Sequence, residues 1–355
     1  MVLIYVAIIL FVVLGLLFSG NSLDKGKKAF LIICFLVMLI LHTFVNPEYS
    51  DLLGYKYGYQ EFAGMSFSDV LKHNAFSLKA EVGYRVFCKI LTYISTNWVF
   101  ALFVISVIIL NGYYQTTKKY SPSYLFSVLF IMVGPFMQST FVLRQHMAMG
   151  LLLLTYPFIM ERKLMPYMLL CAAAFLLHQT AIIFLPVYFL YNLSKNKFAI
   201  VSAVAMVVLA TSMSFFLTTA GRYAMGTASY GDYYFARDMQ VGTNYKSALL
   251  MVVLLIIRVL ILKKNFFNEG ITRLMSIVLV FGTIFAITGI GYVGTSRMNM
   301  YFTAASFLYI PNTFYYLKDK TFRLLFNVGY FLFLLYFFVN NNADFEGIWF
   351  ISPNI

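Results

Sequence analysis

KLMPYMLLCAAAFLLHQTAIIFLPVYFLYNLSK, residues 163–195, is apolar almost from lysine to lysine, with His178-Gln179-Thr180 interrupting its centre. Basic residues collect on the cytoplasmic side of a membrane, so Lys163 and Lys195 place both ends of this stretch inside. The 31 residues between them therefore cross an even number of times, in two arms of about 15 residues that reach about 22 Å each. The hydrocarbon core is about 30 Å thick. His178 is thus expected several ångströms below the outer surface, where a polar group is costly unless it lines a cavity. A histidine hydrogen-bonded inside the bundle is the plainer alternative.

The rest of the chain repeats the pattern. Its 355 residues are 61% hydrophobic and only 11% charged, with a mean hydropathy of +0.82. A soluble domain carries about 25% charged residues. Apolar runs near 1–18, 29–45, 98–112, 123–141, 146–160, 164–178, 180–193, 198–217, 247–262, 274–292, 300–317 and 323–340 predict an all-α, polytopic transmembrane bundle of about 12 spans, with a range of 10–12. No polar stretch is long enough for a second domain, so residues 1–355 read as a single integral membrane domain. Segment 1–18 reads as a retained first span, because Lys25, Lys27 and Lys28 follow it and no basic residue precedes it.

Every second break is basic. Lys118 and Lys119, Arg162 and Lys163, Lys195 and Lys197, Lys263, Lys264 and Arg273, and Lys318, Lys320 and Arg323 join the first lysine cluster on one side. That side holds 15 of the 26 basic residues against four acids, which puts both termini outside. The +13 net charge is mostly this cytoplasmic excess. The basic residues are scattered among short loops and form no patch suited to nucleic acid. Cys34, Cys88 and Cys171 do not build a disulfide framework.

The outer side differs in chemistry. It uses arginine at positions 85, 144, 222, 237 and 297, and all four histidines map there, as do the two long loops, 46–97 and 218–246. Topology does not require arginine outside. A guanidinium does offer carboxylates and phosphates a planar fork that lysine lacks. Asp51 stands just past a span end with no basic residue within four positions; a turn or cap role competes with a chemical one. In the helical stretch 79–95, Val82, Val86, Ile90 and Ile94 form an apolar stripe opposite Glu81, Arg85 and Lys89. That pattern suggests an interfacial helix with a solvated Glu81–Arg85 pair. Arg258, at mid-span, is expected to snorkel toward Lys263. Arg297 follows a glycine-rich turn at Gly289, Gly291 and Gly294, and Tyr301 lies one helical turn beyond it. Tyrosine clusters at 49–59 and 223–245 suit sugars as well as a membrane interface. Four scattered histidines without His-x-x-x-His or His-Glu-x-x-His spacing imply no metal site. No nucleotide or other cofactor motif is present.

Asp51 with Tyr55, Glu81-Val82-Gly83-Tyr84, Arg144-Gln145, Phe175-Leu176-Leu177-His178-Gln179-Thr180-Ala181 and Arg297, in that order, resemble the EpsG-like branch of the Wzy-type polysaccharide polymerases. Threonine stands at 180 where that family often has serine. The resemblance implies a GT-C-like glycosyltransferase in the bacterial inner membrane. Its substrates would be undecaprenyl-pyrophosphate-linked repeat units, as donor and acceptor, at the periplasmic or outer face, with a chain-length co-polymerase as a partner. Transfer from a lipid diphosphate needs charge neutralisation on the leaving group and a base for the acceptor hydroxyl. Arg144 and Arg297 are candidates for the first task, with Arg85, Gln145, Tyr55, Tyr84 and Tyr301 as further substrate contacts. Asp51, Glu81 and His178 remain equal candidates for the second. A lipid-linked oligosaccharide flippase and a polysaccharide-modifying membrane acyltransferase are the alternatives.

Overall fold

The structure, a computed structural model, describes residues 2–19, 24–48, 51–216, 245–288 and 293–341; all regular structure among them is helical. The chain forms two compact units. The first comprises residues 1–158, 163–185 and 317–355, and the second residues 159–162 and 186–316.

In the first unit, α1 (Val2–Ser19) packs on α2 (Asp24–Thr43), and α3 (Leu52–Gly64), α4 (Phe67–Lys72) and α5 (Val82–Thr92) fold the long connection that follows. The long helix α6 (Trp98–Tyr120) leads to α7 (Tyr124–Val133), α8 (Pro135–Ser139) and α9 (Leu143–Leu153). α6 packs against both α2 and α9. Gly112 and Gly150 make the α6–α9 approach possible: a Cβ on Gly112 would overlap the Gly150 carbonyl and stand 2.7 Å from its Cα. After α10 (Tyr156–Met160) comes α11 (Leu164–Leu177), which packs on α9 and α5, and a 3₁₀ segment (Gln179–Phe184) turns back along it. The Tyr167 hydroxyl ties the two arms together by donating to the carbonyls of Phe184 at 2.7 Å and Leu185 at 3.1 Å.

The second unit contains α12 (Pro186–Tyr191), α13 (Lys195–Phe216), α14 (Tyr245–Leu262), α15 (Ile271–Thr288), α16 (Val293–Thr303) and α17 (Ser306–Tyr315). α15 is its axis, touching the other five helices. α18 (Lys320–Asn341) returns to the first unit and packs on α7.

Among the described residues, five segments are long and apolar enough to cross a membrane: Lys25–Thr43, Trp98–Tyr120, Tyr245–Phe267, Ile271–Thr288 and Lys320–Asn340. Several others of the twelve apolar runs are broken. Run 123–141 stops at Gly134, where Pro135 starts a new helix and cannot donate a backbone hydrogen bond to continue the old one. Run 146–160 breaks at Leu154-Thr155, run 180–193 is a 3₁₀ segment followed by Pro186, and run 300–317 breaks at Ala304-Ala305. The ten residues of α7 span only about 15 Å.

Arg258 overturns its expected role. It does not snorkel toward Lys263 but is fully enclosed. Its Nε donates to Ser276 Oγ at 2.9 Å, and Nη1 donates to the Tyr309 carbonyl at 3.2 Å and Thr313 Oγ1 at 2.6 Å. Nη2 donates to the Thr272 carbonyl at 2.8 Å and Asn312 Oδ1 at 3.0 Å. All five acceptors are neutral oxygens, and they staple α14 to α15 and α17.

Candidate functional site

The site begins in the connection between α3 and α5. Glu61 on α3 accepts hydrogen bonds from the Phe76 amide at 2.5 Å and the Ser77 amide at 3.2 Å, and Ser77 Oγ donates to it at 2.5 Å. Asn74 Oδ1 accepts from the Ala80 amide at 2.8 Å. These bonds shape the chain entering α5, whose N-cap is Glu81.

α5 is oriented opposite to the expectation. Its charged face is buried: Glu81, Arg85 and Lys89 lie inside, while Val82, Ile90 and Ile94 are exposed. Arg85 Nη2 donates to the Leu71 carbonyl at 3.2 Å and Lys89 Nζ to the Ala63 carbonyl at 3.1 Å, so carbonyls at the ends of α4 and α3 receive these charges. The solvated Glu81–Arg85 pair therefore does not form. The apolar stripe stays exposed, and the polar face turns inward to find hydrogen-bond partners.

Glu81 instead joins residues far away in sequence. Its Oε2 forms a salt bridge with Nη1 of Arg144, in the first turn of α9. Its Oε1 lies 2.7 Å from Nδ1 of His178, the residue that ends α11, and 3.3 Å from the Gln179 amide. Arg144 Nε donates to the Tyr55 hydroxyl at 3.2 Å, and its guanidinium stands 5.8 Å from the Tyr55 ring centre. The Tyr84 ring meets Tyr55 edge-on with centroids 5.8 Å apart. The side chain of Glu81 is 6% exposed, and those of Arg144 and His178 are 15% and 16% exposed. The cluster is thus almost enclosed, with its histidine and arginine still reachable.

Electrostatics hold the carboxylate ionised. Burial alone would raise the Glu81 pKa, but the His178 hydrogen bond and the Arg144 charge outweigh it and bring it down to about 2. A carboxylate only accepts, so Nδ1 of His178 carries a proton, and in a neutral imidazole the lone pair then lies on Nε2. Among the described residues Nε2 has no hydrogen-bond partner.

Five of the anticipated residues, Tyr55, Glu81, Tyr84, Arg144 and His178, come together here. Gln145 is buried beside Arg144. Asp51 is exposed, one turn before Tyr55 at the start of α3, and makes no side-chain cap hydrogen bond. Arg85 is committed to the Leu71 carbonyl. Arg297 is exposed on α16, and Tyr301, one turn on, is buried; both belong to the second unit. Gly289, Gly291, Arg222, Arg237 and the tyrosines at 223–234 lie outside the described residues.

Gly83, quoted above only as part of Glu81-Val82-Gly83-Tyr84, has a packing role that the sequence does not state. A Cβ there would overlap the carbonyl oxygen of Leu176 and stand 2.6 Å from the Leu176 Cβ. His42 was mapped as an outer-edge residue; it is completely buried, with Nδ1 2.7 Å from Ser106 Oγ and Nε2 3.1 Å from Ser139 Oγ.

No curated protein and no solved structure matches the chain. The sequence model of the EpsG family does match, over residues 28–351, which takes in every residue of the cluster. With nearly its whole length covered by that match and its helices of membrane-spanning length, this helical membrane protein belongs to the EpsG family.

Proposed function

We propose that the chain is a polysaccharide polymerase, a glycosyltransferase of the GT-C kind. It would join undecaprenyl-pyrophosphate-linked oligosaccharide repeat units at the outer face of the bacterial inner membrane. Family membership supports a role in polysaccharide biosynthesis. The observation that carries the rest is the Arg144–Glu81–His178 cluster, a nearly enclosed cation, carboxylate and imidazole in contact.

Each part suits one need of the reaction. Arg144 in the first unit, or Arg297 in the second, stabilises the departing diphosphate, whose charge grows as the anomeric bond breaks. The aromatic faces of Tyr55, Tyr84 and Tyr301, with Gln145, are suited to sugar rings and hydroxyls. The acid–base work falls to the group of Asp51, Glu81 and His178. The cytoplasmic lysine bias argues for an outward-facing site, and a chain-length co-polymerase is a fitting partner.

The alternatives have less support. A flippase needs a cationic path through the membrane, and Arg258 is instead enclosed by neutral oxygens. For an acyltransferase the first two spans supply only His42, which is fully buried between two serines.

Purified protein incubated with lipid-linked repeat units should yield a ladder of extended chains. Arg144→Lys or Arg297→Lys should lower the extension rate on the order of 10²–10³-fold, since lysine keeps the charge but loses the fork. A full ladder from the double variant would sink the clamp, and no ladder from the unaltered protein would sink the polymerase reading.

A further inference from the structure

Two backbones cross at the site with no room between them. A Cβ on Gly83, in the first turn of α5, would overlap the carbonyl of Leu176 near the end of α11. Glu81 lies two residues before the crossing on one strand of chain, and His178 two residues after it on the other. The obstructing atoms are main chain: the carbonyl carbon of Leu176 would be 2.7 Å from that Cβ. A rotamer change therefore cannot relieve a side chain at position 83. The same α11 turn is held by the His178 amide, which donates to the Ala174 carbonyl at 2.9 Å.

We propose that this crossing makes His178 the base of the reaction. Gly83 and Leu176 bring the Glu81 carboxylate onto Nδ1, which fixes the ring proton there and presents the Nε2 lone pair to the acceptor hydroxyl. Glu81 is then a positioning residue, as both its oxygens are occupied by Arg144, His178 and the Gln179 amide. Asp51, exposed at the start of α3, stands outside this arrangement. The inference rests on the polymerase reading for its chemistry. The acceptor oxygen forms the new bond to the anomeric carbon while the carbon–oxygen bond to the diphosphate breaks. The bonding pair leaves with the diphosphate, and the hydroxyl proton passes to Nε2.

A methyl group at position 83 would move the two backbones apart by about 1 Å, enough to lose the Glu81–His178 bond. Misplacement of that size costs about 10²-fold in rate. Gly83→Ala should therefore lower kcat about 10²-fold with KM little changed. In a Glu81→Gln background the same substitution should cost less than about threefold, because residues acting through one contact are not additive. Gly64→Ala, where the added Cβ meets nothing within 4 Å, is the control. A normal rate for Gly83→Ala, or losses that multiply in the double variant, would overturn the proposal.

A second measurement needs no activity and no folded Gly83 variant. In protein carrying nitrogen-15 histidine, the ring signal lost in His178→Gln identifies residue 178. Its shifts should report a proton on Nδ1 in the unaltered protein, and a move toward Nε2 protonation in Glu81→Gln and, where it inserts, in Gly83→Ala. A ring protonated on Nε2 from the outset refutes the positioning role even if chains are extended. A protein that extends no chains but keeps the expected ring proton refutes only the polymerase reading.

Discussion

Oε1 of Glu81 and Nδ1 of His178 stand 2.7 Å apart although 97 residues of chain separate them. The first residue starts a helix and the second ends one, so both sit where the backbone turns and side chains can converge. Arg144 completes the contact from the start of a third helix. Both contacts of Glu81 thus join residues of different helices.

Glu81→Ala should damage the protein more than Glu81→Gln. Alanine leaves Arg144 and His178 facing each other in a nearly enclosed site, and losing one partner of a buried pair costs about 3–5 kcal/mol. Glutamine keeps the shape and one acceptor oxygen but loses the charge. Thermal unfolding in detergent should fall by several degrees for alanine and less for glutamine, with both slow in chain extension. Equal melting temperatures for all three proteins would show that the carboxylate is not a structural partner of Arg144.

The depressed Glu81 pKa sets a pH window. A carboxylate held at about 2 stabilises the folded state above its ordinary pKa near 4. That contribution is lost as pH falls through the window from about 4 to 2. Glu81 thus has no ionisation between pH 5 and pH 9, and an acid limb of kcat in that range belongs to another group. Replacing Glu81 by Gln should lower the plateau without removing such a limb. Activity profiles between pH 5 and pH 9 check this; loss of the limb in Glu81→Gln would make Glu81 the titrating base.

The orientation of the chain can be read by cysteine labelling. Cys34, Cys88 and Cys171 are all buried and free, so background reaction should be low. Cysteines placed at Lys118 and Lys195 should be shielded from an impermeant reagent in intact cells, and one at Asp51 should react. Labelling at position 195 from outside would remove the basis for an outward-facing His178.

Much of the site was legible in the chain because its members are polar residues where apolar runs end. Arg144 and His178 stand out for that reason, while Tyr55 and Glu81 stand out in the long loop 46–97. Their pairing was not legible. The i, i+4 spacing of Glu81 and Arg85 points to a local pair, but helical amphipathicity in a membrane protein does not say which face is inside. The apolar stripe of Val82 and Ile90 stays exposed, and carbonyls from α3 and α4 attract Lys89 and Arg85. The helices themselves followed from hydropathy, yet their lengths did not. Gly134-Pro135 divides a run that composition reads as continuous. Arg258 failed for a related reason: snorkelling is favoured only when no internal acceptors exist, and α15 and α17 supply five of them.

Arg258 yields the last prediction, which concerns the second unit alone. Its guanidinium spends all five N–H donors on neutral oxygens of α15 and α17. Two of those acceptors are satisfied without it: the Tyr309 carbonyl also receives the Thr313 hydroxyl at 2.6 Å, and the Thr272 carbonyl receives Ser276 Oγ at 3.0 Å. An apolar replacement therefore strands few groups, and exchanging a buried charge for a hydrophobic residue of similar volume is often tolerated. Lysine is the harsher change. It keeps a charge in the same enclosed place, offers only three donors, and cannot spread them in a plane to five oxygens. Arg258→Lys should lower the melting temperature more than Arg258→Met, by an amount corresponding to about 2–4 kcal/mol. The chain-extension rate per folded molecule should be unchanged in both. Melting curves in one detergent decide the order, and a lysine variant as stable as the unaltered protein would show that charge alone, not the fork, holds α14 in place.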